Sequence, residues 1–141
     1  MEAGLLKLHH IGIATDNIEE AIKRHRDVFG LEQVTEIVED PLHKVSVVLL
    51  SAGGEVFIEL VAPLGEDSPV SNLLKRGIRL YHICYLVKDL DETLEEVKEN
   101  SIIISKPAPA KLYGGRRIAF VYTPDKYVVE FLEEEKSDAQ C

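Results

Sequence analysis

An internal repeat limits what this chain can fold into more than any other feature of its sequence. Residues 8–13, LHHIGI, resemble residues 80–85, LYHICY, 72 positions later, and residues 56–60, VFIEL, resemble residues 127–131, YVVEF, 71 positions later. Such similar offsets from opposite ends of a segment indicate two copies of one supersecondary unit. We therefore expect the same order of elements in both copies.

Each copy begins with a strand-like run that is followed by a capped helix. Asn17 with Glu20, and Asp89 with Glu92, have the spacing of a helix N-cap and its third helical residue. Gly30 is a typical end for the first helix. Strand-like runs then follow at residues 45–50 and 56–61 in the first copy and at 102–104, 117–122 and 127–132 in the second. The sequence therefore predicts an α+β fold of two tandem βαβββ modules.

These elements also predict the domain organisation. A chain of 141 residues fits a single domain. We place the first module at about residues 7–61, a linker with a short helix at 62–77, the second module at about 79–133 and an acidic tail at 134–141. The linker helix is expected to begin at Ser68-Pro69, because proline is favoured at the first helical position.

Composition excludes several classes of function. The formal net charge of −9 argues against nucleic-acid binding, because a basic surface is needed to neutralise phosphates. No apolar run is long enough for a membrane span, and the N-terminus lacks a secretory pattern, so we expect no membrane association. Cys84 and Cys141 form no CxxC motif, which makes a reduced, cytoplasmic protein the expected default.

On each of four predicted strands, one polar side chain lies on the face opposite the apolar side chains. Along a strand successive side chains alternate between faces, so each of these residues points away from its apolar neighbours. A lone histidine or glutamate on a strand is usually structural, but here both types recur in register with the repeat. Two imidazoles and two carboxylates suit a divalent ion such as Co, Mn, Ni or Zn. The predicted ligands are His10, Glu59, His82 and Glu130.

Several short motifs give the chain a resemblance to a known family. The motifs are HIGIA at 10–14, ELVAPLGEDSP at 59–69, HICY at 82–85, GG at 114–115 with IAF at 118–120, and VVE at 128–130. Together they resemble the vicinal oxygen chelate superfamily, which includes glyoxalase I and bleomycin-resistance proteins. Within it, the 59–69 and 82–85 segments are most similar to the methylmalonyl-CoA epimerase family. The resemblance covers about residues 8–133.

The resemblance implies a fold, a ligand set and an activity. The two modules would form a curled, cup-like mixed sheet around a metal bound by His10, Glu59, His82 and Glu130. The activity would be that of an isomerase, which abstracts the proton α to the thioester of a small acyl-CoA and returns it on the other face. The metal would stabilise the charge that develops on the substrate oxygens. A homodimer is also implied.

The chain departs from the family pattern at the catalytic base. Some epimerases have a proton-transferring glutamate on the strand at 45–50, where this sequence has Val47. His43, four residues earlier and on the same face by strand alternation, is one candidate base, although a solvated strand-start residue is the alternative. Glu130 is the other candidate, combining metal ligation with proton transfer. Tyr81 also stands where the family usually has a second histidine.

A basic loop in the second module is the candidate contact for the CoA carrier. Lys106, Gly114, Gly115 and Arg116 combine positive charge with glycines that can present backbone N–H groups to an anion. A solvated basic loop is an equally good interpretation.

Two other functions remain open from the sequence. One is a glyoxalase I-like lyase, or another vicinal oxygen chelate enzyme, acting on a different small molecule. The other is a non-catalytic protein that binds small molecules, as drug-resistance members of the superfamily do. Those binders typically lack the metal ligands, so the intact set favours an enzyme.

Overall fold

Two compact units make up the part of the chain that the computed structural model describes, which is residues 5–135, with side chains from residue 7 onward. The first unit is His9–His82, and the second comprises residues 83–135 together with residues 5–8. The division therefore falls inside two strands rather than in the linker. The predicted acidic tail lies outside the described residues from position 136 onward.

The first unit contains a mixed sheet with one long helix. Its strands run in the order β2-β4-β5-β1, with β3 also paired to β4; β1 is parallel to β5, and the remaining pairs are antiparallel. The elements are β1 (Leu5–Ala14), α1 (Ile18–Phe29), β2 (Glu32–Gln33), β3 (Val38–Asp40), β4 (Val45–Ser51), β5 (Phe57–Pro63), α2 (Pro69–Lys75) and the first residues of β6 (Leu80–Val87).

The second unit repeats this arrangement. Its strands run β6-β10-β9-β7, with β8 also paired to β9; β10 is parallel to β6, and the other pairs are antiparallel. After β6 come α3 (Leu90–Val97), β7 (Ile102–Ile103), β8 (Ala108–Pro109), a 3₁₀ helix (Lys111–Tyr113), β9 (Arg117–Tyr122) and β10 (Val128–Glu133). The predicted α+β class is confirmed, and in each copy a strand and a helix are followed by further strands, although these number four rather than the expected three.

The predicted helix caps are also confirmed. The side chain of Asn17 accepts a hydrogen bond from the Glu20 N–H at 3.1 Å, and that of Asp89 accepts one from the Glu92 N–H at 3.0 Å. Gly30 ends α1 in the left-handed region, with φ of 72°. The sequence did not predict β2, β3 and β8, because strands of two or three residues are too short to show an alternating pattern.

In each unit a helix covers one face of the strands. In the first, Ala21 and Ile22 of α1 pack against Val48, Leu50 and Leu60. In the second, α3 packs against the corresponding face of β9 and β10 through Leu90, Leu94, Ala119, Val121, Val129 and Phe131. Because side chains alternate along a strand, the opposite faces carry the residues between these positions. That opposite face holds the polar residues that the repeat singled out.

A buried carboxylate fixes the start of α3 to the end of β10. Glu133, 5% exposed, accepts hydrogen bonds from Nε and Nη2 of Arg117 at 3.0 and 2.9 Å and from the Leu90 N–H at 2.9 Å. Arg117 also donates to Asp91 at 2.9 Å. The hydrogen bonds that Arg117 donates to Glu133, and then to Asp91, raise the pKa of its guanidinium, so it remains charged. One carboxylate therefore satisfies both a charged partner and a helix N-terminus.

None of the α-helices within residues 5–135 has the length and apolar character that crossing a bilayer requires. The longest, α1, has 12 residues, whereas a span needs roughly 20.

We expect Glu133→Ala to lower the free energy of unfolding by about 2–3 kcal/mol, because Arg117 and the Leu90 N–H both lose their buried acceptor. Urea unfolding followed by circular dichroism measures the change. The matched control is Asp91→Ala, whose carboxylate is 69% exposed and should contribute less than about 1 kcal/mol. Equal, small losses in both variants would contradict the anchoring role of Glu133.

Candidate metal centre

Three of the predicted metal ligands meet in the first unit. β1 and β5 lie side by side in parallel, with Gly12 paired to Glu59, so the side chains of His10 and Glu59 share the face opposite α1. His82, near the start of β6, brings its imidazole to the same place. All three side chains are buried, with exposures of 0% for His10, 5% for Glu59 and 4% for His82.

The donor atoms of this triad converge closely. Nε2 of His10 lies 3.1 Å from Nε2 of His82. Each carboxylate oxygen of Glu59 lies near a different histidine: Oε2 is 3.5 Å from His10 Nε2, and Oε1 is 3.5 Å from His82 Nε2. The ligand atoms of all three residues lie within 4.8 Å of one another.

The donor set fits a divalent cation. Nitrogen and oxygen ligands bind zinc and similar ions at about 2.0–2.2 Å, so neighbouring donors of one ion are roughly 3.0–3.5 Å apart. The separations of 3.1 and 3.5 Å in the triad agree with that value. Two imidazoles and one carboxylate are also the ligand types that suit Mn, Co, Ni and Zn. The triad of His10, Glu59 and His82 could therefore hold such an ion.

Gly12 makes room for the His82 imidazole. A Cβ atom built on Gly12 would lie 2.4–2.7 Å from three atoms of the His82 ring, closer than real Cβ contacts allow. Sequence reasoning missed this requirement. The available signal was the repeat itself, because Gly12 in the first copy aligns with Cys84 in the second, and only the first copy has no side chain there.

The fourth predicted ligand, Glu130, belongs to the second unit. It lies on β10, is 2% exposed and is paired in register with Cys84 on β6 and Phe120 on β9. It occupies the face of β10 opposite α3, as the repeat predicts. Its part in metal binding stays a prediction.

Apolar side chains neighbour Glu59 on its own face. Leu49 of β4 pairs with Glu59, and Val47 pairs with Val61, two positions or about 7 Å further along. Leu49, Val47 and Val61 are all buried. The valine at position 47 therefore does lie on the face of the triad, where it offers no proton-transfer group.

The structure corrects the expected orientation of His43. This residue lies in a turn before β4, and Lys44, with φ of 60°, interrupts the alternation on which the prediction relied. Asp40 accepts the His43 backbone N–H at 3.2 Å and lies 3.0 Å from its Nδ1. Val45, the first residue of β4, pairs four positions beyond Glu59, about 13 Å away along the strand, and His43 precedes it. This spacing disfavours a direct role at the triad, and the predicted role as a base stays untested.

Comparison with known proteins assigns the family. The model of the glyoxalase/bleomycin resistance protein/dioxygenase superfamily matches residues 9–120. The chain belongs to this superfamily. Its similarity to solved structures of the superfamily also confirms the predicted glyoxalase-like fold: it superposes on methylmalonyl-CoA epimerase from Mycobacterium tuberculosis with a TM-score of 0.82 and 26% identity, over 97% of this chain and 93% of that one.

Two relatives in the superfamily are epimerases by name. The chain is 31% identical to the mitochondrial methylmalonyl-CoA epimerase of Dictyostelium discoideum over 121 residues, which cover 84% of this chain and 72% of the relative. It is 30% identical to the ethylmalonyl-CoA/methylmalonyl-CoA epimerase of Cereibacter sphaeroides over 122 residues, 84% of this chain and 90% of the relative.

The basic loop of this superfamily member differs from the sequence expectation in one respect. The N–H of Gly114 donates to the Lys111 carbonyl at 3.2 Å, and the N–H of Gly115 donates to the Ala110 carbonyl at 3.0 Å. The turn itself therefore uses both N–H groups, which disfavours anion binding through them, and the predicted role of Gly114 and Gly115 in substrate binding stays untested. Lys106 is exposed, and Arg116 donates from Nε to the Glu133 carbonyl at 3.0 Å.

We expect Gly12→Ala to displace the His82 ring, because its Cβ would overlap that ring. The free energy of unfolding of the variant should be about 1–3 kcal/mol lower than that of the parent protein. Co²⁺ should raise the melting temperature of the parent protein but not that of the variant. Thermal unfolding with and without Co²⁺ measures both effects. Gly54→Ala is the control, since a Cβ there meets nothing within 4 Å. Retention of the Co²⁺ effect in Gly12→Ala would show that the close approach is dispensable.

Proposed function

We propose that this protein is a metal-dependent epimerase that removes and returns the proton α to the thioester of a small acyl-CoA. The observation that carries the proposal is the buried triad of His10, Glu59 and His82. It supplies a divalent-metal site in a chain whose relatives at 30% identity or more include methylmalonyl-CoA epimerases. The relatives' names support a malonyl-type acyl group, in which a carboxylate and a thioester flank the reacting carbon.

The triad residues hold the ion in this proposal. His10 and His82 each contribute Nε2, and Glu59 contributes carboxylate oxygen. A bound divalent ion would act as a Lewis acid that stabilises negative charge on the substrate's carbonyl oxygen as the α-proton leaves. The apolar neighbours Val47, Leu49 and Val61 exclude water from this face, which strengthens electrostatic interactions there.

Proton transfer is assigned to Glu130 in this proposal. Its carboxylate takes the α-proton and passes it to solvent, while the electron pair of the C–H bond moves into the thioester carbonyl. A proton from solvent water, added to the opposite face of the carbon, then inverts it. The assignment rests on the sequence repeat, which makes Glu130 the counterpart of Glu59, and on its burial at 2% exposure. His43 is the alternative base, but its hydrogen bonds with Asp40 and its place in a turn favour a structural part.

The CoA carrier would be bound through side chains rather than backbone N–H groups. Lys106 is exposed, as is Lys111, the first residue of the 3₁₀ helix, and their charges would meet the phosphates of the carrier. Arg116 donates from Nε to the Glu133 carbonyl, and its guanidinium charge is a further candidate contact for those phosphates. We also propose that the protein is a homodimer, which is the commonest symmetric assembly.

The decisive experiment is deuterium exchange. Incubated with methylmalonyl-CoA in D₂O, the protein loaded with Co²⁺ should introduce one deuterium at the α-carbon, as followed by mass spectrometry. We expect His82→Ala to reduce the rate by at least about 100-fold, because one of the metal ligands is lost. Chiral analysis of the product then tests epimerisation.

His25→Ala is the matched control, because it removes an imidazole of α1 whose Nδ1 lies 2.7 Å from the Ala21 carbonyl, on the side of the sheet opposite the triad. It should retain the parent rate. No exchange by protein with Co²⁺ demonstrably bound would reject the acyl-CoA assignment. Turnover of the methylglyoxal–glutathione hemithioacetal by that protein would instead assign a glyoxalase I-like lyase.

The base assignment is tested with two isosteric substitutions. We expect Glu130→Gln to lower the exchange rate by about 10²–10⁴-fold, the usual contribution of a positioned base, and His43→Asn to lower it by less than about tenfold. Rates are measured at Co²⁺ concentrations that saturate each variant by calorimetry, so that weaker ligation is not mistaken for lost proton transfer. A large loss in His43→Asn with a small one in Glu130→Gln would reverse the assignment.

A further inference from the structure

We infer that His9 is a positioning residue that holds His10 in the tautomer whose Nε2 lone pair faces the metal site. The inference rests on the proposed metal centre and concerns a residue outside the ligand set. It comes from a contact between adjacent residues of β1: Nδ1 of His9 lies 2.8 Å from Nδ1 of His10.

The proton in this contact can be assigned from the other side of the His10 ring. A hydrogen bond between two ring nitrogens requires one donor and one acceptor, and a neutral imidazole has a single N–H. His10 directs Nε2 toward His82 and Glu59, at 3.1 and 3.5 Å. To offer that nitrogen to a cation, His10 must carry its proton on Nδ1. His10 therefore donates and His9 accepts.

Packing holds the His9 ring where it can accept this proton. Its ring lies 5.1 Å from that of His10 at an interplanar angle of 78°, and 5.5 Å from that of Phe57. Phe57 is itself paired in register with His10 on the neighbouring strand. The acceptor is thus supplied by a half-buried ring that two neighbours orient.

The repeat separates the packing role from the hydrogen-bonding role. Tyr81 occupies the place of His9 in the second copy, and its ring meets His82 edge-on in the same way, at 4.5 Å and 77°. A tyrosine ring has no nitrogen, so it reproduces the edge-on packing but has no ring nitrogen that could accept a proton from the next histidine. Both copies therefore have an aromatic ring before the ligand histidine, and only the first has an acceptor within that ring.

Two crossed substitutions test the inference. In His9→Asn the side-chain oxygen can take the place of Nδ1, so the acceptor is kept and the ring is lost. In His9→Phe the ring is kept and the acceptor is lost. The first measurement is the ¹⁵N spectrum of the His10 imidazole in the metal-free protein, which distinguishes the two tautomers. The second is the Co²⁺ dissociation constant from calorimetry.

We expect His10 to be protonated on Nδ1 in both the parent protein and His9→Asn, with Co²⁺ affinities within about threefold of each other. We expect His9→Phe to lose that tautomer. Its Co²⁺ affinity should fall by about 10–100-fold, as is typical when a ligand histidine loses its hydrogen-bond partner. A parent His10 protonated on Nε2 would overturn the inference. So would normal affinity in His9→Phe with weakened affinity in His9→Asn, because that result would assign a packing role alone. Neither readout uses a substrate, so failure of the proposed epimerase activity would not imitate these results.

Discussion

The close approach of the His82 imidazole to the β1 backbone at Gly12 is the contact on which the candidate metal centre depends. It brings a side chain from β6 beside a histidine of β1 and a glutamate of β5, so that three donors from three strands share one buried point. Any side chain at position 12 would occupy the space of the ring. A residue with no chemistry of its own therefore decides whether the ligands can meet.

The duplicated unit separates hydrophobic packing from the candidate polar ligands. In each unit a helix covers one face of the strands and supplies the hydrophobic packing. The opposite face is then available for residues selected for chemistry. In the first unit that face carries His10 and Glu59 among apolar neighbours, and buried polar groups of this kind satisfy one another by contact.

The chemistry of the two faces also explains how a common architecture can serve different reactions. The ligand types here are compatible with more than one activity, because a divalent ion held by them could act as a Lewis acid in different reactions. Differences must then arise from the residues around the ion. Val47 illustrates this point, since it lies on the triad's face at the position where a proton-transferring carboxylate was expected.

The sequence by itself determined the duplicated order of elements, the helix caps and the alternation that separates His10 and Glu59 from their apolar neighbours. These features are local or periodic, so they can be read without knowing which strands are paired. Only the tertiary structure decided that Gly12 must lack a side chain, that His9 reaches His10, that His43 lies in a turn and that the Gly114 and Gly115 donors are already used. The Gly12 contact depends on how the strands are paired, the His43 and glycine turns on backbone with positive φ, and the His9 contact on side-chain orientation. None of these is encoded in the period of a pattern.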